Sequence, residues 1–171
     1  HKPVGIVCTT DRRREKDNII DAIDFPTRIY PIGRLDKMSE GLIFLTNDGD
    51  IVNDILRARY GHEKEYHVTV NQPITGDFVE RMSSGVAILD RVTLSCEVEQ
   101  TGRQSFKIVL KQGLNRQIRR MCEELGYRVR RLKRTRIMHV ELGDLPVGKY
   151  RSLDDQELYK LRKITQGAKE A

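Results

Sequence analysis

The sequence predicts an α+β fold, and three observations lead there. Stretches with a two-residue apolar period and stretches with a helical period are interspersed irregularly, not in repeating strand–helix–strand units. Two alternating stretches, "VTLSCEVEQ" and "SFKIVLKQG", follow each other across a short link, as neighbouring antiparallel strands do. The chain has 171 residues, 38% of them apolar, which suits one domain able to bury a core.

Each element has its own local reason. "HKPVGIVCTT" moves from Pro and Gly into a short β-type run, Ile6 to Thr10, and the polar "DRRREKDN" reads as an exposed loop. In "NIIDAIDF", Ile19, Ile20 and Ile23 share one helical face and Pro26 stops the helix. "RIYPIG" is a short strand or the entry to a turn. "LIFLT", Leu42 to Thr46, is a continuous apolar strand, closed by the turn signal Asn47-Asp48-Gly49. "DIVNDILRARYG" is an amphipathic helix with Ile51, Val52, Ile55 and Leu56 inward and Gly61 at its end. "EKEYHVTV" alternates, so Tyr66, Val68 and Val70 share a strand face. "TGDFVERMSSG" is a short helix burying Phe78, Val79 and Met82. "NRQIRRMCEELG" is a helix with Asn115 as its expected N-cap and Ile118, Met121, Cys122 and Leu125 as its apolar stripe. "YRVRRLKRTRIMHVEL" is strand-rich and very basic. "DDQELYKLRKI" closes the chain as a helix, with Asp154 and Glu157 at capping-box spacing. No repeat and no low-complexity segment interrupts this order.

Charge is unevenly placed. The chain carries +6 in total, yet Lys111 to Arg136 alone holds ten Lys or Arg against Glu123 and Glu124, leaving −2 for the rest. A local excess of this kind is the footprint of a polyanion-binding face, with a solvated helix face as the bland alternative. Cys8, Cys96 and Cys122 are scattered, odd in number and outside any paired motif, which suits reduced thiols in a cytoplasmic protein. No apolar stretch reaches the ~20 residues of a membrane span, so no membrane partner is expected. The four histidines do not cluster with Cys or carboxylates, so no metal is expected.

Asp36, in "GRLDKMSEGLIFLTNDG", stands beside an apolar strand that must be interior. A lone turn aspartate usually serves local hydrogen bonds. A carboxylate near an interior strand, however, needs a cationic or donor partner. The helix after Asn115 offers one. At ~100° per residue, Arg119 lies at the edge of the apolar sector, whereas Arg116 and Arg120 point away from it and suit phosphates. Arg119 can equally snorkel along the helix side. Tyr66 is either a core residue or a flat ring that stacks on an unstacked base.

The Gly33–Gly49 block resembles the active-site signature of the RsuA-like pseudouridine synthases, the family of RsuA, RluB, RluE and RluF. Four further blocks are similar in the same order: "KPVG" at 2–5, "KEY" at 64–66, "GLNRQIRRM" at 113–121 and "LKRTRIMHVEL" at 132–142. The "RTRIM" and "HEKEYHVTV" wording is closest to the RluF branch. The resemblance covers nearly the whole chain. It implies a mixed, mainly antiparallel sheet through two lobes with a central cleft, and catalysis by Asp36, Arg119 and Tyr66. It implies Tyr66 and Ile137 at the uracil, and Arg34, Lys64, Asn115, Arg116, Arg120, Arg134 and Arg136 on the RNA. No cofactor is implied. The expected substrate is a uridine in structured RNA, 23S ribosomal RNA first and transfer RNA second, acted on by a monomer. Family members carry an S4-type RNA-binding domain in front. None is read here, so residues 1–171 are expected to be the catalytic domain alone. Two other classes compete: a metal-dependent nuclease using Asp36, Glu40 and Asp48, and a non-catalytic RNA-binding module. For Glu40 and Asp48, local turn and capping roles are the expectation.

Overall fold

The computed structural model describes residues 1–9 and 17–170. Most of the loop expected at 11–18 and the end of the expected Ile6–Thr10 strand lie outside the described residues. Within that strand Val7 makes a single parallel bridge, to Asn18.

The elements are α1 (Ile19–Ile23), β1 (Tyr30–Ile32), β2 (Glu40–Gly41), β3 (Phe44–Thr46), α2 (Val52–Arg59), β4 (Lys64–Val70), α3 (Gly76–Ser84), β5 (Ala87–Ile88), β6 (Arg91–Val92), β7 (Glu97–Gly102), β8 (Ser105–Leu110), α4 (Gln117–Glu124), β9 (Val129–Ile137), β10 (Val140–Glu141) and α5 (Asp155–Glu170). The architecture is α+β, with a central sheet of order β10-β9-β4-β8-β7 and β2 added in parallel on β9. Every other pairing in that sheet is antiparallel.

Caps set the helix starts. Asn18 accepts from Asp21 N, Thr75 from Phe78 N, and Asp154 and Glu157 form the expected reciprocal box. In α2, Ile55, Ala58 and Arg59 are the buried residues, and Leu56 is 38% exposed instead of inward. The apolar run Leu42–Thr46 is not one strand. Gly41 ends β2 on β9, and the chain then crosses to pair β3 with β1. The run stays apolar because both partners are interior.

One face of the central sheet positions the site. Lys64, Tyr66, Val68 and Val70 alternate onto it, opposite Ile137, Arg134, Leu132 and Val129 of β9. The register shifts between Glu65 and Tyr66, so Thr135 has no partner across the pair. This β-bulge carries Arg134 and Ile137, three residues apart, onto the same face. At one end of that face Val68, Val70 and Leu132 join a core with Phe78, Met82, Phe106, Ile118 and Met121. At the other end Ile137 joins Ile32, Leu42, Phe44, Ile55 and Leu161. Lys64, Tyr66 and Arg134 lie between the two cores, and Arg134 Nη1 donates to Arg34 O of the loop before β2, so these residues form the floor under that loop.

Candidate active site

The loop between β1 and β2 carries Asp36 over this floor. Leu35 is buried in a small third core with Cys8, Ile19 and Ile43, which turns the next side chain, Asp36, outward. Ser39 N donates to Asp36 O and closes the turn. The "KPVG" block holds the turn from behind. Lys2 is 2% exposed and its Nζ donates to Pro3 O at 2.7 Å and Lys37 O at 3.2 Å, while Gly5 N donates to Lys37 O. Burial pulls the Lys2 pKa down, opposed by the nearby Cys8, Asp36 and Glu40. Lys2 also exchanges backbone hydrogen bonds with Gly41, tying the block to β2.

α4 brings the cations. Arg119 Nε and Arg116 Nη1 each stand 3.7 Å from Asp36 Oδ2. Arg119 Nη2 donates to Ser39 Oγ at 3.0 Å, across eighty residues of chain. The Arg119 side chain is 12% exposed and that of Arg116 is 45% exposed. Burial, then Arg116, lowers the Arg119 pKa, and Asp36 opposes them. Both guanidinium groups face Oδ2, and among the described residues Oδ1 has no partner. The carboxylate is therefore paired through one oxygen and remains partly open to solvent, with its side chain 37% exposed.

The arginine assignments need two corrections. Arg116, expected to point away from the apolar sector of the helix and to suit phosphates, stands beside Asp36 instead. It precedes the helix with a left-handed backbone, φ 49°, so a helical wheel does not describe it. Asn115 is not the N-cap. Its backbone carbonyl and Oδ1 accept from Arg120, while Gln117 Oε1 reaches back to Leu114 N.

Arg134 does not stand on an RNA-facing surface. It is 3% exposed, and its guanidinium donates to Leu42 O at 2.8 Å and Arg34 O at 3.4 Å, holding the Asp36 loop from below. Arg136 is tied to Glu63 and to Met138 O. Ile137 is wholly buried in the second core and offers no surface to the cleft. Tyr66 lies half-buried on the floor against the first core. Its hydroxyl has no hydrogen bond among the described residues. Arg34 is exposed at the rim.

Glu40 makes no turn. It is buried in β2, bonded to Arg131 and 3.5 Å from His1, and the Arg131 hydrogen bond holds its pKa low. Asp48 does cap, accepting from Asp50 N. Among the described residues no three His, Cys, Asp or Glu side chains form a group able to hold a metal. No described helix is long and apolar enough to cross a membrane. A mainly apolar cavity of about 450 Å³ is lined by residues such as Ile23, Phe25, Ile29, Leu145 and Leu158, with Lys2 and Pro3 on its wall and none of Asp36, Tyr66, Arg116 or Arg119.

Sequence reasoning missed Lys2, Ser39 and Arg59. Each left a signal: Lys2 and Ser39 stand inside the blocks at 2–5 and 33–49, and Arg59 follows Ile55 by four residues, on the same helical face.

Comparison with known proteins follows this geometry. Residues 1–124 match the family model described as RNA pseudouridylate synthase. The chain is 56% identical over 168 residues to the dual-specificity RNA pseudouridine synthase RluF of Escherichia coli K12, covering 98% of this chain and 58% of that protein. It is 34% identical over 166 residues to ribosomal large subunit pseudouridine synthase B of Pseudomonas aeruginosa, covering 92% of this chain and 43% of the relative. A crystal structure of a pseudouridylate synthase superposes with a TM-score of 0.83 at 30% identity, over 94% of this chain and 70% of that one. The chain thus spans little more than half the length of the RluF relatives it matches. With the Asp36 loop, the tyrosine floor and the arginine helix assembled as described, the chain belongs to the RNA pseudouridylate synthase family.

Proposed function

We propose that this chain is the catalytic domain of an enzyme that isomerises a uridine to pseudouridine in structured RNA, with Asp36 as the reacting group. The observation that carries this is the Asp36 carboxylate, 37% exposed and paired through Oδ2 with both Arg116 and Arg119 at 3.7 Å.

The reaction breaks the bond between ribose C1′ and uracil N1, turns the uracil in place, joins C5 to C1′ and releases the C5 proton. No water enters, so the paired acid and base of a hydrolytic glycosidase are not needed. Asp36 serves as the nucleophile at C1′, or as the base that removes a ribose proton to give a glycal. Arg119 orients it and Tyr66 packs on the uracil. The base must leave its stack to reach the floor of the cleft, and exposed Arg34 and Arg116 stand at the rim where RNA would approach.

Ribosomal large-subunit RNA is the favoured substrate, because a relative is named for acting there. A second RNA, a transfer RNA, is the other reading, favoured by the dual specificity in the RluF relatives' name.

Tritium release from RNA labelled at uracil C5 tests the proposal. Asp36→Asn should abolish release, by at least about four orders of magnitude, while RNA affinity stays within about threefold of the wild type. Turnover retained in that variant overturns the mechanism. Activity that persists in excess EDTA removes the nuclease alternative's metal requirement. Mapping pseudouridines in cells with and without the gene identifies the uridine.

A further inference from the structure

Of the six tyrosines, four have a partner for their ring. Arg28 stands over Tyr30 and Lys163 over Tyr159, while Tyr127 packs on Phe78 and Tyr150 on Phe25. Tyr66 lies half-buried on the sheet floor against the first core. Tyr60 is different. It is 90% exposed, and among the described residues no ring, cation or hydrogen-bond partner meets its side chain. One exposed apolar side chain is ordinary on a protein surface. The place of this one gives it a use.

The ring is free, but its base is fixed. Tyr60 ends α2, its N–H donating to Arg57 O at 3.2 Å, and Gly61 then turns the chain with φ 78°. His62 N donates back to Arg59 O. The last turn of α2 is seated on the loop that carries Asp36. Leu56 Cδ2 and Arg59 Nη1 stand 3.4 and 2.7 Å from where a Cβ on Gly33 would sit, and Arg59 Nη1 donates to Ile32 O at 2.9 Å. Tyr60 follows Leu56 by four residues, so it stands on the same side of the helix, the side that meets Gly33. Exposed Arg34 comes directly after Gly33. Gly33 precedes Asp36 by three residues, so the two are within about 11 Å. Beyond Tyr60 the chain enters β4, which carries Tyr66. Arg57, three residues before Tyr60, has a side chain 61% exposed and 3.9 Å from Asp54.

We infer that the Tyr60 ring is a stacking platform for an unpaired base of the substrate RNA, close along the strand to the target uridine. This rests on the isomerase reading above. Every base offers a π-face, and an exposed aromatic ring takes one up without reading its hydrogen-bonding edge. Arg34 and Arg57 lie on the same side of the molecule as the ring and suit the phosphates of that nucleotide. Tyr66 takes the target base and Tyr60 a neighbour. Holding the neighbour keeps the turned-out uridine from slipping back into its stack.

The test uses a stem-loop RNA carrying the mapped uridine, with the fluorescent base 2-aminopurine placed in turn at each unpaired position flanking it. The intact protein is used as Asp36→Asn, which holds RNA without turnover, alone and combined with Tyr60→Leu or Tyr60→Phe, and thermal melting confirms folding. At one flanking position the bound base should be quenched with Tyr60 in place and with Tyr60→Phe, and Tyr60→Leu should restore about half of the lost fluorescence or more. In tritium release by protein with Asp36 intact, Tyr60→Leu should raise KM by about tenfold and move kcat far less, because the stack is made before the reaction and kept through it. Tyr60→Phe should recover most of that loss. The inference is overturned if no flanking position shows a change that depends on Tyr60, or if Tyr60→Leu has the KM of the wild type. It is equally overturned if Tyr60→Phe loses as much as Tyr60→Leu, which would put the effect in the hydroxyl and not the ring. Absence of release by the wild type would count against the isomerase reading, and the fluorescence set would still decide the stack.

Discussion

At the scale of single residues, Arg119 and Arg116 stand equally far from Asp36 Oδ2 but are not equivalent. Arg119 is nearly buried and anchored on Ser39, whereas Arg116 is half in water, where charge interactions are screened. Arg119→Ala should therefore lower kcat by about a hundredfold or more, and Arg116→Ala by about tenfold or less with its effect mainly on KM. Steady-state rates on one RNA check this, and the reverse order would show that exposure does not rank the pair. Arg119 was legible in the sequence because it lies inside a regular helix whose apolar stripe fixes the wheel. Arg116 was not, because its left-handed backbone takes it out of that wheel. Arg134 was misplaced for a different reason. Charge counting along a strand does not tell which basic side chains turn inward to satisfy carbonyls such as Leu42 O.

At the scale of elements, periodicity located α3, α4, β4 and β8, but of the expected strand at 92–100 only the part from Glu97 lies in β7, because Val92 pairs instead in the β5–β6 hairpin. Periodicity failed at Leu42–Thr46, where one apolar run serves two sheets, and at β9, where the Thr135 bulge reassigns faces in a way that alternation cannot anticipate. The joint between the sheets is Gly41. Its φ is +118°, and a Cβ there would lie 2.6 Å from Arg134 N. Gly41→Ala should cost on the order of 2 kcal/mol or more, from backbone strain and loss of the β2–β9 contact. Urea denaturation measures it. A variant as stable as the wild type would mean that β2 is not held by this close approach.

At the scale of the whole molecule, the strong positive count of the Lys111–Arg136 segment is partly spent inside the fold. Arg131 pairs with Glu40, Arg136 with Glu63, Arg119 with Asp36, and Arg134 is buried. These pairs bind distant parts of the chain to one another and make stability depend on acid. Arg151 hydrogen bonds hold Glu157 down at about 2, well below the ordinary glutamate range, and Arg131 holds Glu40 low in the same direction. Carboxyls depressed in the folded state stabilise it above their unfolded pKa, and that stabilisation is lost as pH falls through the folded value. The thermal midpoint should therefore drop between pH 4.5 and about 2, and Glu157→Gln should flatten part of that drop. An unchanged pH profile in that variant would exclude the Arg151 pair as a contributor. The parallel pairing of β2 with β9 has a further consequence, in time. Glu40 and Gly41 meet Lys133 and Arg134, so the loop holding Asp36 has no floor until some ninety more residues have been made. At roughly 5–20 residues per second, a nascent chain carries its reactive acid for about 5–20 seconds before β9 is there to anchor the loop. Catalytic competence is thus acquired only after β9 has been made.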